Sequence, residues 1–424
     1  MPLDGGVGAG AASPLAAGRA LLSEFPRVVL VLATGDLVAS FGFSLFFPFL
    51  TIYLVQELGA SAAQAGLVIA AYSLFSTVSG IAGGWLADRV GRRPVLIGSI
   101  SLTALLVASM ALVSETWHVG LVMVVLGCVD PAFLPAARAA VADSVDEARR
   151  PRAFGLLGVA NALGWIAGPV IGAGLSTLGY PLLFGVSGLL VGCYTVIALR
   201  WLPETRPTGV AHRPVDATAP GTARAADGPR RRVFVAFLPL IGVTHAITFL
   251  WVTTLPIHAA GTLALPTPTW GLLFGLNGLL IVLLQLRVST ACERRSKPRL
   301  IAVAAGLYAI GLGLVALLSP ATAVPGLAVT ICLVTAGEML LMPVVPSFIA
   351  ELSPIDRRGT YQGIAMAATA VGSGLGPPIA GLVLDVMPGA VLWLAAALIL
   401  LGAAAGFLVL SRWSDRLPAD ASVA

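Results

Sequence analysis

Charge is scarce in this chain of 424 residues: Asp, Glu, Lys and Arg together make up 11% of it, against about a quarter in soluble domains. Lysine is nearly missing, with Lys297 the single lysine beside twenty-four arginines. With abundant Ala and Gly, that balance fits a GC-rich bacterial coding sequence. The four cysteines (Cys128, Cys193, Cys292, Cys332) are scattered, and all but Cys292 fall within apolar runs. They have no metal-ligand spacing and read as small packing residues. There is no phosphate-cradling Gly-Lys-Ser/Thr loop, no zinc-spaced His/Cys/Asp cluster and no nucleophile elbow, which excludes the common motifs for ATP binding, zinc chemistry and acyl transfer. Polar segments are too short to fold a catalytic domain. An enzyme is therefore not expected, nor a cofactor or metal. Residues 1–24 lack a basic stretch leading into an apolar one, so they read as a flexible tail rather than a cleaved leader.

Apolar residues fill the space that charge leaves. They make up 58% of the chain, and mean hydropathy is +0.95, the composition of an integral membrane protein. Runs of about twenty residues suffice to cross the hydrocarbon as helices. Six fall at about 28–55, 63–87, 95–113, 118–142, 153–177 and 181–202. Six more fall at about 233–257, 269–290, 300–319, 325–349, 359–386 and 389–411. This predicts an all-α protein with a tail at 1–27, a first six-helix bundle at 28–202, a solvated linker at 203–232, a second bundle at 233–412 and a tail at 413–424. The linker is rich in Pro, Thr, Ala and Arg.

Every basic residue lies in the tails, the even-to-odd loops, the linker or the helix ends bordering them. The opposite loops (56–62, 114–117, 178–180, 258–268, 320–324, 387–388) hold none. Arginine retained on one side predicts cytoplasmic termini and a multi-pass protein of the cell's inner (plasma) membrane. The basic charge is then a topology signal that also suits anionic lipid head groups, not nucleic acid.

The second half repeats the first at a constant shift of 208 positions. Asp130 is matched by Glu338, Pro135 by Pro343, Arg149 by Arg357 and Arg150 by Arg358. Gly155, Gly164, Gly168 and Pro169 are matched by Gly363, Gly372, Gly376 and Pro377. A shift of six spans keeps both copies in one membrane orientation. That predicts bundles related by a pseudo-two-fold axis along the membrane normal, with a site between them near the midplane.

Two stretches carry a family resemblance. Gly84-Trp85-Leu86-Ala87-Asp88-Arg89-Val90-Gly91-Arg92-Arg93-Pro94-Val95-Leu96 packs charge into the short gap between spans two and three, and such charge belongs at the membrane surface. It resembles the signature between spans two and three of the major facilitator superfamily. A worn copy, beginning Glu293-Arg294-Arg295, occupies the matching place in the second half. In span five, Gly164, Gly168, Pro169 and Gly172 resemble the glycine-proline motif of the superfamily's antiporter branches, although the same pattern also suits a close-packed, kinked helix. The resemblance implies alternating access between two rocking bundles. Gly84, Asp88, Arg89, Gly91, Arg92 and Arg93 would form the conformational-switch loop, with Asp143 a further member of its charge cluster.

Three carboxyls fall inside spans: Asp36 in the first, Asp130 in the fourth and Glu338 in the tenth. Burial without a charged partner favours the protonated form of a carboxyl, and intramembrane acids are functional candidates by default. Glu338, five residues before Pro343, resembles the Gly-Glu segment of span ten in drug:proton antiporters. It is read as a proton or cationic-substrate site, or else as a structural hydrogen bond, and the same choice applies to Asp130; Asp36 is read as such a site or else as the partner of an arginine near the cytoplasmic end. As repeat-mates, Asp130 and Glu338 are expected to face one central cavity. Many proton antiporters carry an arginine in the outer half of span four, where this chain has Met123. Any coupling would therefore rest on the carboxyls. His245 in span seven is a further candidate, since histidine titrates near neutral pH. Asn161, Asn277 and Gln285 suit the cavity or helix–helix hydrogen bonding. Trp165, Trp251, Tyr72, Phe249 and Tyr361 suit a cavity wall or helix packing.

The reading that follows is a secondary active transporter, working as a monomer in the lipid bilayer on a small-molecule substrate and protons. Proton-coupled efflux of hydrophobic or cationic compounds, drugs or secondary metabolites, is favoured. Proton-coupled uptake of a small polar nutrient is the alternative, and a membrane receptor or membrane enzyme is remote. The topology is directly testable. Cysteines placed at Ala60, Ala260 and Pro388 should react with an impermeant thiol reagent on intact cells, and one at Ala217 only after permeabilisation. Labelling of position 217 from outside would reverse the orientation.

Overall fold

The computed structural model describes residues 25–146, 149–205, 228–293, 295–354, 357–414 and 416. The expected tails, the centre of the linker with Ala217, and Arg294 lie outside these residues or mostly so. Among the described residues, twelve helices are long and apolar enough to cross a membrane. The first six are Arg27–Gln56, Ala62–Val90, Arg92–Leu112, Thr116–Ser144, Arg152–Ser176 and Tyr180–Trp201. The second six are Gly228–Gly261, Thr267–Cys292, Lys297–Val315, Pro320–Leu352, Thr360–Val386 and Gly389–Ser414.

Span boundaries follow local chemistry. Ser61 and Gln64 form a reciprocal capping box at the start of span two. Gly91 at φ +120° and Gly179 at φ +110° make the turns between spans two and three and spans five and six, a backbone conformation that glycine adopts at no steric cost. Proline breaks two spans. Span four changes to a 3-10 turn over Asp130–Ala132, with Pro131 inside it. Span seven is helical over Gly228–Thr248, Leu250–Thr253 and Leu255–Gly261, with Pro256 in the last piece.

Lipid is as apolar as leucine, so spans associate through close backbone approach at small residues. The span-five glycines show this: a Cβ on Gly164 would stand 2.7 Å from the Phe41 amide nitrogen, and one on Gly168 would meet Ser44 of span one. Their repeat-mates Gly372 and Gly376 press in the same way against Gly242 and Ala246 of span seven.

The same device joins the bundles. Gly66 of span two lies against the carbonyl of Pro377 in span eleven, and Gly271 of span eight against the carbonyl of Pro169 in span five. Pro169 and Pro377 are repeat-mates, so the two interfaces are pseudo-two-fold copies. Gly275 and Gly278 continue the second interface against Val170 and Ile166. Trp270 adds a hydrogen bond from its Nε1 to the carbonyl of Pro48 in span one, at 3.2 Å. All these contacts lie in the half of the molecule away from the arginine-bearing loops.

Glycine identity should therefore matter by position. Gly164→Ala forces a backbone shift at Phe41, an overpacking that costs about 1–3 kcal/mol, and should lower the thermal midpoint of detergent-solubilised protein. Gly174→Ala, which meets nothing within 4 Å, should leave the midpoint unchanged or raise it. Equal effects would contradict the packing described.

Candidate functional site

Glu338 sits midway along span ten, and its carboxyl is held by neutral donors. Asn277 of span eight donates from Nδ2 to Glu338 Oε2 at 2.9 Å and lies 3.0 Å from the Thr335 hydroxyl. Thr335 is fixed in turn by its own bond to the Ile331 carbonyl at 2.6 Å. This group opens on a cavity of about 320 Å³ between the bundles, walled by Phe47, Asn161 and Trp165 on one side and Phe249, Trp251, Phe274 and Met342 on the other. Phe274 stacks between two indoles, 4.8 Å from Trp251 and 6.4 Å from Trp165. The aromatic wall thus crosses from one bundle to the other. Phe249 and Trp251 come from the broken stretch of span seven, irregular backbone of the kind that membranes tolerate where it lines a cavity. Glu338 is the one ionisable group among the residues lining this space.

Asp36 belongs to a second cavity, about 430 Å³, within the first bundle on its arginine-bearing side. Asn161 donates to Asp36 Oδ1 at 3.2 Å and to the Ser40 hydroxyl at 2.5 Å. Arg138 lines the same space. Asn161 borders both cavities, so its amide stands between Asp36 and the chamber of Glu338.

Asp130 does not join Glu338, contrary to the expectation of one shared cavity. It lies at the 3-10 break of span four, and its carboxyl is directed into the first bundle. The Tyr72 hydroxyl donates to Oδ2 at 3.4 Å and the Thr103 hydroxyl to Oδ1 at 3.5 Å. The repeat is still visible, since each acid bonds to the span two before it in its own bundle. A shorter side chain and the turn at Pro131 aim Asp130 toward spans two and three instead. His245 lies one helical turn before Phe249, with ring centroids 6.0 Å apart, and is not among the cavity-lining residues. His258 is buried beside Trp393.

The loop cluster forms around Arg92. Its Nη1 pairs with Asp88 at 2.8 Å and its Nε with Asp143 at 3.1 Å, while Nη1 also reaches the Ala87 carbonyl at 2.7 Å. Arg89 instead lies over the Trp85 ring, 4.1 Å from its centroid. Sequence reasoning missed Glu204, which accepts from the Arg92 and Arg93 amides at 2.9 and 3.2 Å and so caps span three. It was assigned to the linker on composition; its place directly after span six was the only available signal. Thr335 and Phe274 were also missed. Of the aromatic candidates, Trp165, Trp251 and Phe249 line the cavity, Tyr72 serves Asp130, and Tyr361 packs tilted against Phe234, with ring centroids 4.3 Å apart. Gln285 bonds to the Met339 carbonyl at 3.1 Å, joining spans eight and ten.

Comparison with known proteins agrees with this architecture. The profile described as Major Facilitator Superfamily matches residues 32–377. Multidrug resistance protein MdtH of Cronobacter sakazakii is 28% identical over 345 residues, covering 80% of this chain and 82% of its own. A Na(+), Li(+), K(+)/H(+) antiporter of Planococcus maritimus is 23% identical over 391 residues, covering 84% of this chain and 89% of its own. Among solved structures, a POT family transporter in complex with 5-aminolevulinic acid superposes with a TM-score of 0.75 at 14% identity, covering 91% of this chain and 96% of its own.

Proposed function

We propose that this chain, which belongs to the Major Facilitator Superfamily and is a membrane transporter of that family, exports hydrophobic cations in exchange for protons by alternating access. The observation that carries the reading is one carboxyl, Glu338, in a chamber walled by Trp165, Phe274 and Trp251. Indole and phenyl faces attract an organic cation and bury its apolar body. The carboxyl supplies the opposite charge. Asn277 and Thr335 satisfy it through neutral groups, so a proton or a cationic substrate can take the place of the other without breaking an ion pair. MdtH is named for multidrug resistance and the Planococcus protein for cation/proton antiport, in keeping with this reading. Asn161 and Asn277 favour the alternative, uptake of a small polar nutrient. An anionic or zwitterionic nutrient would need a basic group that the wall residues do not include.

In this reading the arginine-bearing loops and both termini face the cytoplasm, and the protein acts as a monomer in the inner membrane. The structure then corresponds to the state closed outside, since the bundles touch in the half without arginine. Asp36 and Asn161 form the cytoplasmic approach to the chamber. The Asp88–Arg92–Asp143 cluster stiffens the joint between spans two, three and four, around which the first bundle moves as one body. Asp130 and His245 are secondary candidates that act on packing around the chamber.

The test is uptake of ethidium into inverted membrane vesicles with and without an imposed proton gradient. Glu338→Gln should reduce gradient-driven uptake at least about tenfold, the loss expected when a charge-assisted contact is removed. Asp130→Asn should have a smaller effect. Undiminished uptake by a normally expressed Glu338→Gln protein would remove Glu338 as the exchange site.

A further inference from the structure

At the side of the membrane without arginine, one bundle caps a helix of the other. Span two begins at Ala62, and its first amides need acceptors that the helix itself cannot supply. Ser61 takes the Gln64 amide at 3.2 Å, and the Gln64 side chain returns to the Ser61 amide at 2.9 Å. The other two amides are taken from across the interface. Asp385, in the last turn of span eleven, accepts from Ala62 at 2.8 Å through Oδ1 and from Ala63 at 3.0 Å through Oδ2. Pro377, Gly381 and Asp385 stand at successive four-residue steps on one face of span eleven. Pro377 meets Gly66, and Gly381 meets the Ala62 carbonyl. The contact is thus a zipper of close backbone approaches that ends in a charge at the positive end of a helix.

The pseudo-symmetric interface lacks this last step. The position 208 residues before Asp385 is Thr177, whose hydroxyl bonds to Gly174 of its own helix at 2.7 Å. Spans five and eight are thus joined by glycine packing and the Trp165–Phe274 ring contact, without a carboxyl at this position. The acid at the other interface is an addition that general packing does not require.

We infer that Asp385 is a latch: it holds the arginine-free side shut while the bundles are in this arrangement, and must release the Ala62 and Ala63 amides for that side to open. Opening leaves two helix-end donors without their protein acceptor, so the latch favours the closed state there and sets how much of the protein is open to the outside. The inference rests on the alternating-access reading above, and its test is arranged so that the two can fail separately.

The experiment uses full-length protein with the four cysteines replaced and a single cysteine at Met342, which lines the central chamber. The rate of its reaction with an impermeant thiol reagent is read from outside intact cells. Asp385→Ala should raise that rate about two- to thirtyfold, the span of effects known for losing a helix N-cap, and Asp385→Asn, which keeps one acceptor oxygen but turns an amide N–H toward the second donor, should raise it less. Asp385→Asn keeps the shape of the side chain and decides the matter if the alanine variant folds poorly. Gly381→Leu, whose side chain would enter the Ala62 backbone, is the control that wedges this side open. Fast labelling in the wedge variant with unchanged labelling in both Asp385 variants would overturn the latch and leave alternating access standing. No labelling in any variant, the wedge included, would overturn alternating access through this chamber and the latch with it.

Discussion

Everything in this molecule depends on where two bundles of apolar helices are allowed to touch. Inside hydrocarbon there is no water to expel from between helices, so contact is won by close packing and by backbone groups that meet at short range. Here glycine provides the approach: Gly66 on the Pro377 carbonyl and Gly271 on the Pro169 carbonyl, one pair for each copy of the repeat. Both pairs lie in one half of the membrane. The other half holds the Asp36 cavity and leads to the chamber of Glu338. A joint made at one end leaves the other end free to part, and an interface with few directional bonds can exchange one arrangement for another.

Polar groups are distributed to suit that arrangement. Ion pairs are kept at the helix ends, where Arg92 bridges Asp88 and Asp143 and so ties spans two, three and four together. Within the membrane the acids are held by neutral side chains: Glu338 by Asn277, Asp36 by Asn161 and Ser40, Asp130 by Tyr72 and Thr103. Arg138 shares the cavity of Asp36, whereas a fixed cation beside Glu338 or Asp130 would hold the charged state. Amide and hydroxyl donors accept a change of charge at lower cost, as the proposed exchange requires.

Much of this was legible in the sequence. Hydropathy placed all twelve spans to within a few residues, because a membrane helix needs a long apolar run and its ends are marked by Gly, Pro and Arg. The 208-residue repeat anticipated matched bundles, and the glycines of spans five and eleven do press on spans one and seven. Side-chain direction was not legible. Asp130 and Glu338 share a repeat position, yet a 3-10 turn at Pro131 sends Asp130 elsewhere, and a local break of that kind leaves no periodic trace. Pairings across distant segments were equally hidden: Glu204 capping span three, and Asp385 capping span two, join residues that sequence places in a linker and a helix end.

The central claim is that the two halves of the bundle interface open in alternation. Paired spin labels at Phe154 and Leu286, on the arginine-bearing ends of spans five and eight, report one half; a pair at Leu58 and Met387, at the opposite ends of spans one and eleven, reports the other. Distance distributions by pulsed electron resonance, taken across a range of pH and with ethidium present, test the claim most directly. The account predicts two populations in each pair, with the first pair shortening as the second lengthens. A single unchanged distance in both pairs, or two pairs that widen together, would contradict it.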